Sequence, residues 1–190
     1  MISKLAGITK ALSLGEGKFD PIAFSELLTS RIPMASENVR RRILDVMLNV
    51  GIPFNRWLGL RVHEISADHV TIKSPETVLR RNHVGTAHAC AQALIGEYAA
   101  GLVIAQQFPI ETYRMIISKL EIDYAKPGRG TLYGTAKAPE TMPELTDEEG
   151  WVDMETRITD KAGDEVSVCR TRWQVKSWAK IARQKAGDGK

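Results

Sequence analysis

Between Val84 and Ile110 the only Asp, Glu, Lys or Arg is Glu97, set among Ala89, Cys90, Ala91, Ala93, Leu94, Ile95, Ala99, Ala100, Leu102, Val103 and Ile104. Such a run predicts a helix buried on most of its faces. A carboxylate in that setting is costly unless it is hydrogen-bonded, protonated or put to chemical use. A bridge between polar groups inside the core and a catalytic role are both open readings of Glu97 at this point. The preceding loop, Arg80 to His88, is polar, contains Gly85, and delivers the chain into the helix through Thr86, a good N-cap. Unpaired N–H groups at a helix start can hold a carbonyl oxygen as it becomes an oxyanion, and a carboxylate further along the helix could activate water against that carbonyl. The chemistry this suggests is acyl transfer to water.

The elements that must position these residues read as an α+β pattern. The chain has 190 residues and a net charge of +3, enough for one domain with a sizeable core. Residues 1–50 read as an N-terminal helical extension, with expected breaks at Gly15-Glu16-Gly17 and at Ile32-Pro33. Asp20-Pro21 opens one predicted helix through Arg31, and Ser36 caps another through Asn49 with an apolar stripe of Val39, Ile43, Val46, Met47 and Val50. Leu58 to Ile65 and His69 to Ser74 predict a hairpin. After the Glu97 helix, strands are expected at Tyr113–Tyr124, Thr131–Ala138, Trp151–Thr159 and Glu165–Trp173. One sheet on one helix leaves sheet edges and part of the helix wanting a partner, so a homodimer is the expected minimum. Residues 177–190 read as a loosely ordered basic tail.

Asn82, Gly85, His88 and Glu97, with Pro127 after a later strand, resemble the loop and helix-borne acid of hotdog-fold acyl-CoA thioesterases, particularly the phenylacetyl-CoA and 4-hydroxybenzoyl-CoA branches. In that pattern an Asn-x-x-Gly-x-x-His-Gly-Gly loop enters the central helix and an acid follows the histidine by nine positions, as Glu97 follows His88. The likeness runs from Pro53 to Lys176, includes Pro53-x-Asn55, and makes residues 51–176 the thioesterase-like domain. It implies an antiparallel sheet wrapped around one long central helix, with the active site at a dimer interface. It also implies hydrolysis of an acyl-CoA thioester without a cofactor. Glu97 would be general base or nucleophile, Asn82 and His88 would position water or substrate, and backbone N–H groups of Ala89 or Cys90 would polarise the carbonyl. Ala89-Cys90 replaces the family's glycine pair. Arg80, Arg81, Lys126 and Arg129 are the candidates for the phosphates of coenzyme A, the last two in the glycine-bearing loop Lys126 to Gly130. Pairing of dimers into tetramers is open, and so is the acyl group. Tyr98, Phe54, Trp57 and Leu94 are candidates for its wall or for the core.

Other classes find little support. No apolar run reaches the length of a membrane span. Met1 to Leu14 carries Lys4 and Lys10 without a secretory core, and the cytoplasm is the default compartment. Cys90 and Cys169 suggest buried small hydrophobes, not a disulfide framework. His63, His69, His83 and His88 form no metal-ligand spacing. Arg40-Arg41-Arg42 reads as the solvated side of an amphipathic helix and not as a nucleic-acid patch. Two rivals stand beside the thioesterase. One is a hotdog protein that binds acyl-CoA without turnover, for which the altered glycine pair speaks. The other is a hotdog 3-hydroxyacyl dehydratase or isomerase, for which His83 lies fourteen positions before Glu97 but the proline-bearing loop is missing.

Overall fold

Strand alternation and one apolar helix account for most of the architecture. The computed structural model describes residues 36–187; the helix predicted from Asp20 lies outside them. Two helices, α1 (Glu37–Gly51) and the single turn α2 (Pro53–Arg56), lead into the hairpin β1 (Arg61–Ile65) and β2 (His69–Ser74). A 3-10 turn (Val78–Arg80) and the loop follow, then the long helix α3 (Ala89–Gln107), the strands β3 (Tyr113–Tyr124), β4 (Leu132–Lys137), β5 (Glu149–Asp160) and β6 (Glu165–Ser177), and a last helix α4 (Trp178–Gly187). The strands form one antiparallel sheet in the order β1-β2-β4-β5-β6-β3.

Helix α3 packs against β2, β4, β5, β6 and β3. Alternate side chains of β5, Val152, Met154, Thr156 and Ile158, point into the core it shares with the helix. Two glycines set how close helix and sheet come. A Cβ on Gly96 would overlap Cys169, and one on Gly134 would overlap Ile95. Polar stitches fix the helix in rotation: the Thr156 hydroxyl donates to the Gly96 carbonyl at 2.9 Å, and the Ser167 hydroxyl donates to Gln92 at 2.8 Å.

The expected N-terminal helix is present and packs on β1, where the Val62 N–H donates to Asp45 at 2.7 Å. Leu44 and Leu48 join the core. Helix α1 thereby flanks the edge strand β1, whereas among the described residues no strand pairs with the outer edge of β3. Several predicted bounds shift. Leu58 to Leu60 turns through Gly59 at φ +64 before β1 begins. β6 runs on to Ser177 because Tyr113 and its neighbours in β3 pair along its whole length. Ser36 stands at the N-cap of α1 without a side-chain bond to it.

Residues 178–187, expected within a loose tail, are helical. The Trp178 indole N–H donates to the Ile110 carbonyl at 2.9 Å, and Lys180 and Arg183 pair with Asp147, Glu148 and Glu149. Asp147 and Glu148 sit at φ 50 and 61, a conformation uncommon outside glycine, in the turn this helix clasps.

Candidate active site

Glu97 lies on the third turn of α3. Its carboxylate makes no hydrogen bond or ion pair among the described residues, and burial alone pushes its pKa above the ordinary carboxylate value. Glu97 lines two spaces. The outer one is an open groove of about 410 Å³ between the helix residues Cys90, Ala93 and Leu94 and the β3 residues Ile117, Ser118 and Leu120. Cys90, Ala93, Leu94 and Glu97 share one helix face because they are spaced three and four apart. The inner one is an apolar void of about 150 Å³ lined also by Tyr98, Gly101 and Trp173.

β3 carries a bulge between Ile117 and Lys119, at the wall of the groove facing Glu97. The Ser118 hydroxyl donates to the Arg172 carbonyl there at 3.0 Å. Bulges of this kind re-aim side chains beside functional sites. Nothing in the sequence signals it, since strand alternation says nothing about one extra residue in a ladder.

The helix start is built differently from expectation. Thr86 does not cap α3. Its N–H and hydroxyl both go to Asn82, whose Oδ1 accepts from Thr86 and Val84 at 3.0 and 3.1 Å and whose Nδ2 donates to the Thr86 hydroxyl at 2.9 Å. Gly85, at φ +77, closes this turn. Asn82 therefore organises the loop. His88 is the N-cap, its Nδ1 accepting the Cys90 N–H at 3.1 Å, so the neutral ring carries its proton on Nε2. The Cys90 donor is thus occupied, while the Ala89 N–H has no partner among the described residues.

The four candidate phosphate contacts meet different fates. Arg80 is 1% exposed, and its guanidinium is spent on the Ser74 carbonyl and hydroxyl and on the Gly130 carbonyl. It fastens the loop and is not accessible to a phosphate. Burial lowers its pKa from the ordinary value. Lys126 bridges Asp160 and Asp164 at 2.7 and 2.8 Å. Arg81 pairs with Glu76 at 3.1 Å on the surface. Arg129 is exposed and makes no ion pair among the described residues. The Lys126–Gly130 loop touches the helix start through the Ala87 N–H, which donates to the Gly128 carbonyl at 2.8 Å.

Asn55 is a residue to which sequence reasoning gave no role in the site. It is buried beside the Tyr98 hydroxyl, yet neither atom of its carboxamide makes a well-formed hydrogen bond. Burial, then the charge of Asp45, hold the Tyr98 phenol well above its ordinary pKa, with Asn55 acting the other way. Cys90 is exposed at the groove, against expectation, because its place on the first turn faces β3 across the opening. Cys169 is buried, and burial pushes its thiol to about 11. Among the described residues no group of three or more His, Cys, Asp or Glu is placed to hold a metal, and no helix is long and apolar enough to cross a membrane.

Residues 40–175 match the family Domain of unknown function (DUF4442). The chain belongs to this family. No curated protein matches the sequence of this DUF4442 member. Its fold is the hotdog fold. The thioesterase HI1161 of Haemophilus influenzae superposes with a TM-score of 0.63 at 13% identity, over 72% of this chain and 90% of its own. A mutant of the thioesterase PA1618 of Pseudomonas aeruginosa gives 0.62 at 14%, over 70% and 94%. PA5026 of the same organism, a protein of unknown function called a "probable thioesterase", gives 0.59 at 18%, over 70% and 93%. At these identities the likeness speaks for the fold.

Proposed function

We propose that this DUF4442 protein hydrolyses an acyl-CoA thioester, with Glu97 as general base. The observation that carries this reading is a largely desolvated carboxylate, without a partner among the described residues, that lines both an open groove and a small apolar void. Glu97 takes a proton from water as the water oxygen bonds to the carbonyl carbon. The tetrahedral oxyanion collapses, the carbon–sulfur bond breaks, and the proton passes to the departing thiolate. The thioesterases of the same fold named above support the choice of bond.

The carbonyl donor is the Ala89 N–H. Eight residues of helix separate it from Glu97 by about 12 Å, of which a glutamate side chain leaning toward the helix start recovers only about one turn, roughly 5 Å. One chain therefore does not bring both groups to one carbonyl carbon. A second copy supplies the other half, docked along the β3 edge, where Ile116, Leu120 and Tyr124 are exposed together with Phe54. Arg129, exposed and without an ion pair among the described residues, and Arg81, whose partner Glu76 is a surface one, are the cations for the phosphates of coenzyme A, and His88, exposed at the helix start, offers its Nε2–H. His83 is exposed and lines neither space, which leaves the dehydratase arrangement unformed within a chain.

The test is release of free CoA, followed chromatographically, from acyl-CoAs of graded length and from aromatic ones, by the native protein and by Glu97→Gln. Release by the native protein alone supports the reading. Equal rates from both make Glu97 structural, and saturable binding without release by either makes the protein a carrier or sensor.

A further inference from the structure

The void behind Glu97 is lined by five elements at once, with Leu48 of α1, Asn55 of α2, Gly101 of α3, Met115 of β3 and Trp173 of β6 among its walls. Its far wall is rigid. Trp173 is buried, its indole N–H donates to the Thr171 hydroxyl at 2.9 Å, and its ring lies 3.2 Å from where a Cβ on Gly101 would stand. The N-terminal helix closes the near side with Leu48, which is fully buried, and Ile52. An apolar void of about 150 Å³ takes up a benzene-sized group and no more.

We propose that this void, walled in part by the N-terminal helix and stopped by Trp173, is the acyl pocket and limits the substrate to a short acyl group of about six carbons or one ring. The proposal rests on the thioesterase reading for the bond that is cut, but the size limit follows from the walls alone. An acyl chain entering past Glu97 places its carbonyl beside that carboxylate and its tail against Trp173. Chains longer than the void must leave their last carbons in the groove or displace a buried tryptophan. Gly101 is the one α3 residue of the lining without a side chain, so a methyl there, set against the Trp173 ring, shortens the pocket, while loss of the indole lengthens it.

The experiment uses S-alkyl-CoA thioethers, which cannot be hydrolysed, from ethyl to dodecyl, with binding followed by calorimetry on the full chain. Affinity is expected to rise about fourfold per methylene up to the hexyl compound and to stop rising there. Gly101→Ala moves the break to a shorter chain, and Trp173→Leu moves it to a longer one. Should Trp173→Leu fail to fold, Gly101→Ala alone still decides, since alanine suits a helix better than glycine and the Trp173 ring, 3.2 Å from the new methyl, has to give by only a few tenths of an ångström. An unbroken rise to dodecyl, a break that neither variant moves, or no binding of any thioether overturns the proposal. The same series as acyl-CoAs separates the two claims. A break in binding without any release of CoA keeps the pocket and sinks the hydrolase. Release with no fall of about tenfold in kcat/KM between hexanoyl and dodecanoyl keeps the hydrolase and sinks the pocket.

Discussion

Glu97 is half-buried and has no partner among the described residues, so the same burial that raises its pKa bears on both rate and stability. As a base it must be ionised, and the rate of CoA release is expected to climb with pH through that raised pKa. Stability has the opposite sign. The folded chain holds this proton more tightly than the unfolded chain, so the contribution to folding is full below the ordinary value of 4.5 and is lost as pH rises through the folded pKa. Glu97→Gln should therefore lower CoA release by about two to four orders of magnitude and yet be more stable than the native protein at neutral pH. Urea unfolding at neutral pH and again below pH 4.5 checks this; equal stability at both would mean that the carboxylate is paired after all. Ala89 allows a cleaner deletion. Proline is well suited to the first helical position, and His88 before it already has the extended backbone (ψ 143) that proline requires. Ala89→Pro removes one N–H and little else, and should lower kcat by about two to three orders of magnitude with the helix content unchanged by circular dichroism.

At the scale of elements, the seat of α3 depends on two missing side chains. Gly96→Ala and Gly134→Ala each force a Cβ into Cys169 or Ile95, and each should cost about 1–3 kcal/mol in denaturant unfolding. Full stability in either variant would show that the helix can ride higher on the sheet. What the sequence made legible follows from the range of the forces involved. His69–Ser74 and Tyr113–Tyr124 coincide with prediction to the residue because alternation is a local property. The central helix was legible for the same reason, from its unbroken apolar run. The cap was not, because Asn82 takes the Thr86 hydroxyl and leaves the role to His88. The fate of Arg80 depends on Gly130, fifty positions away, and that of α4 on three acids at the start of β5 and just before it. The bulge at Ser118 and the carboxamide of Asn55 are tertiary facts with no local mark in the chain.

At the scale of the molecule, the β3 edge decides whether a site exists at all. A twelve-residue strand presents about 40 Å of backbone edge that no other described strand pairs with, and an apolar stripe lies beside it. Sedimentation is expected to give a dimer, and Leu120→Lys to give monomers that release no CoA. A mixture of two inactive variants tests the shared site directly. When Glu97→Gln and Ala89→Pro chains are unfolded and refolded together, half the dimers are hybrids with one intact site, restoring about a quarter of the native rate. A mixture that stays inactive would place both groups in one chain.

Cys90 is exposed on the wall of the groove, while Cys169 is buried with its thiol raised to about 11. The protein thus carries a single addressable sulfhydryl at the mouth of its own candidate site. A colorimetric reagent for liberated CoA would label that sulfhydryl and plug the groove it was meant to monitor. Turned around, the labelling rate becomes a gauge of occupancy. A ligand that slows modification of Cys90 is seated in the groove, and it declares itself whether or not any bond is broken.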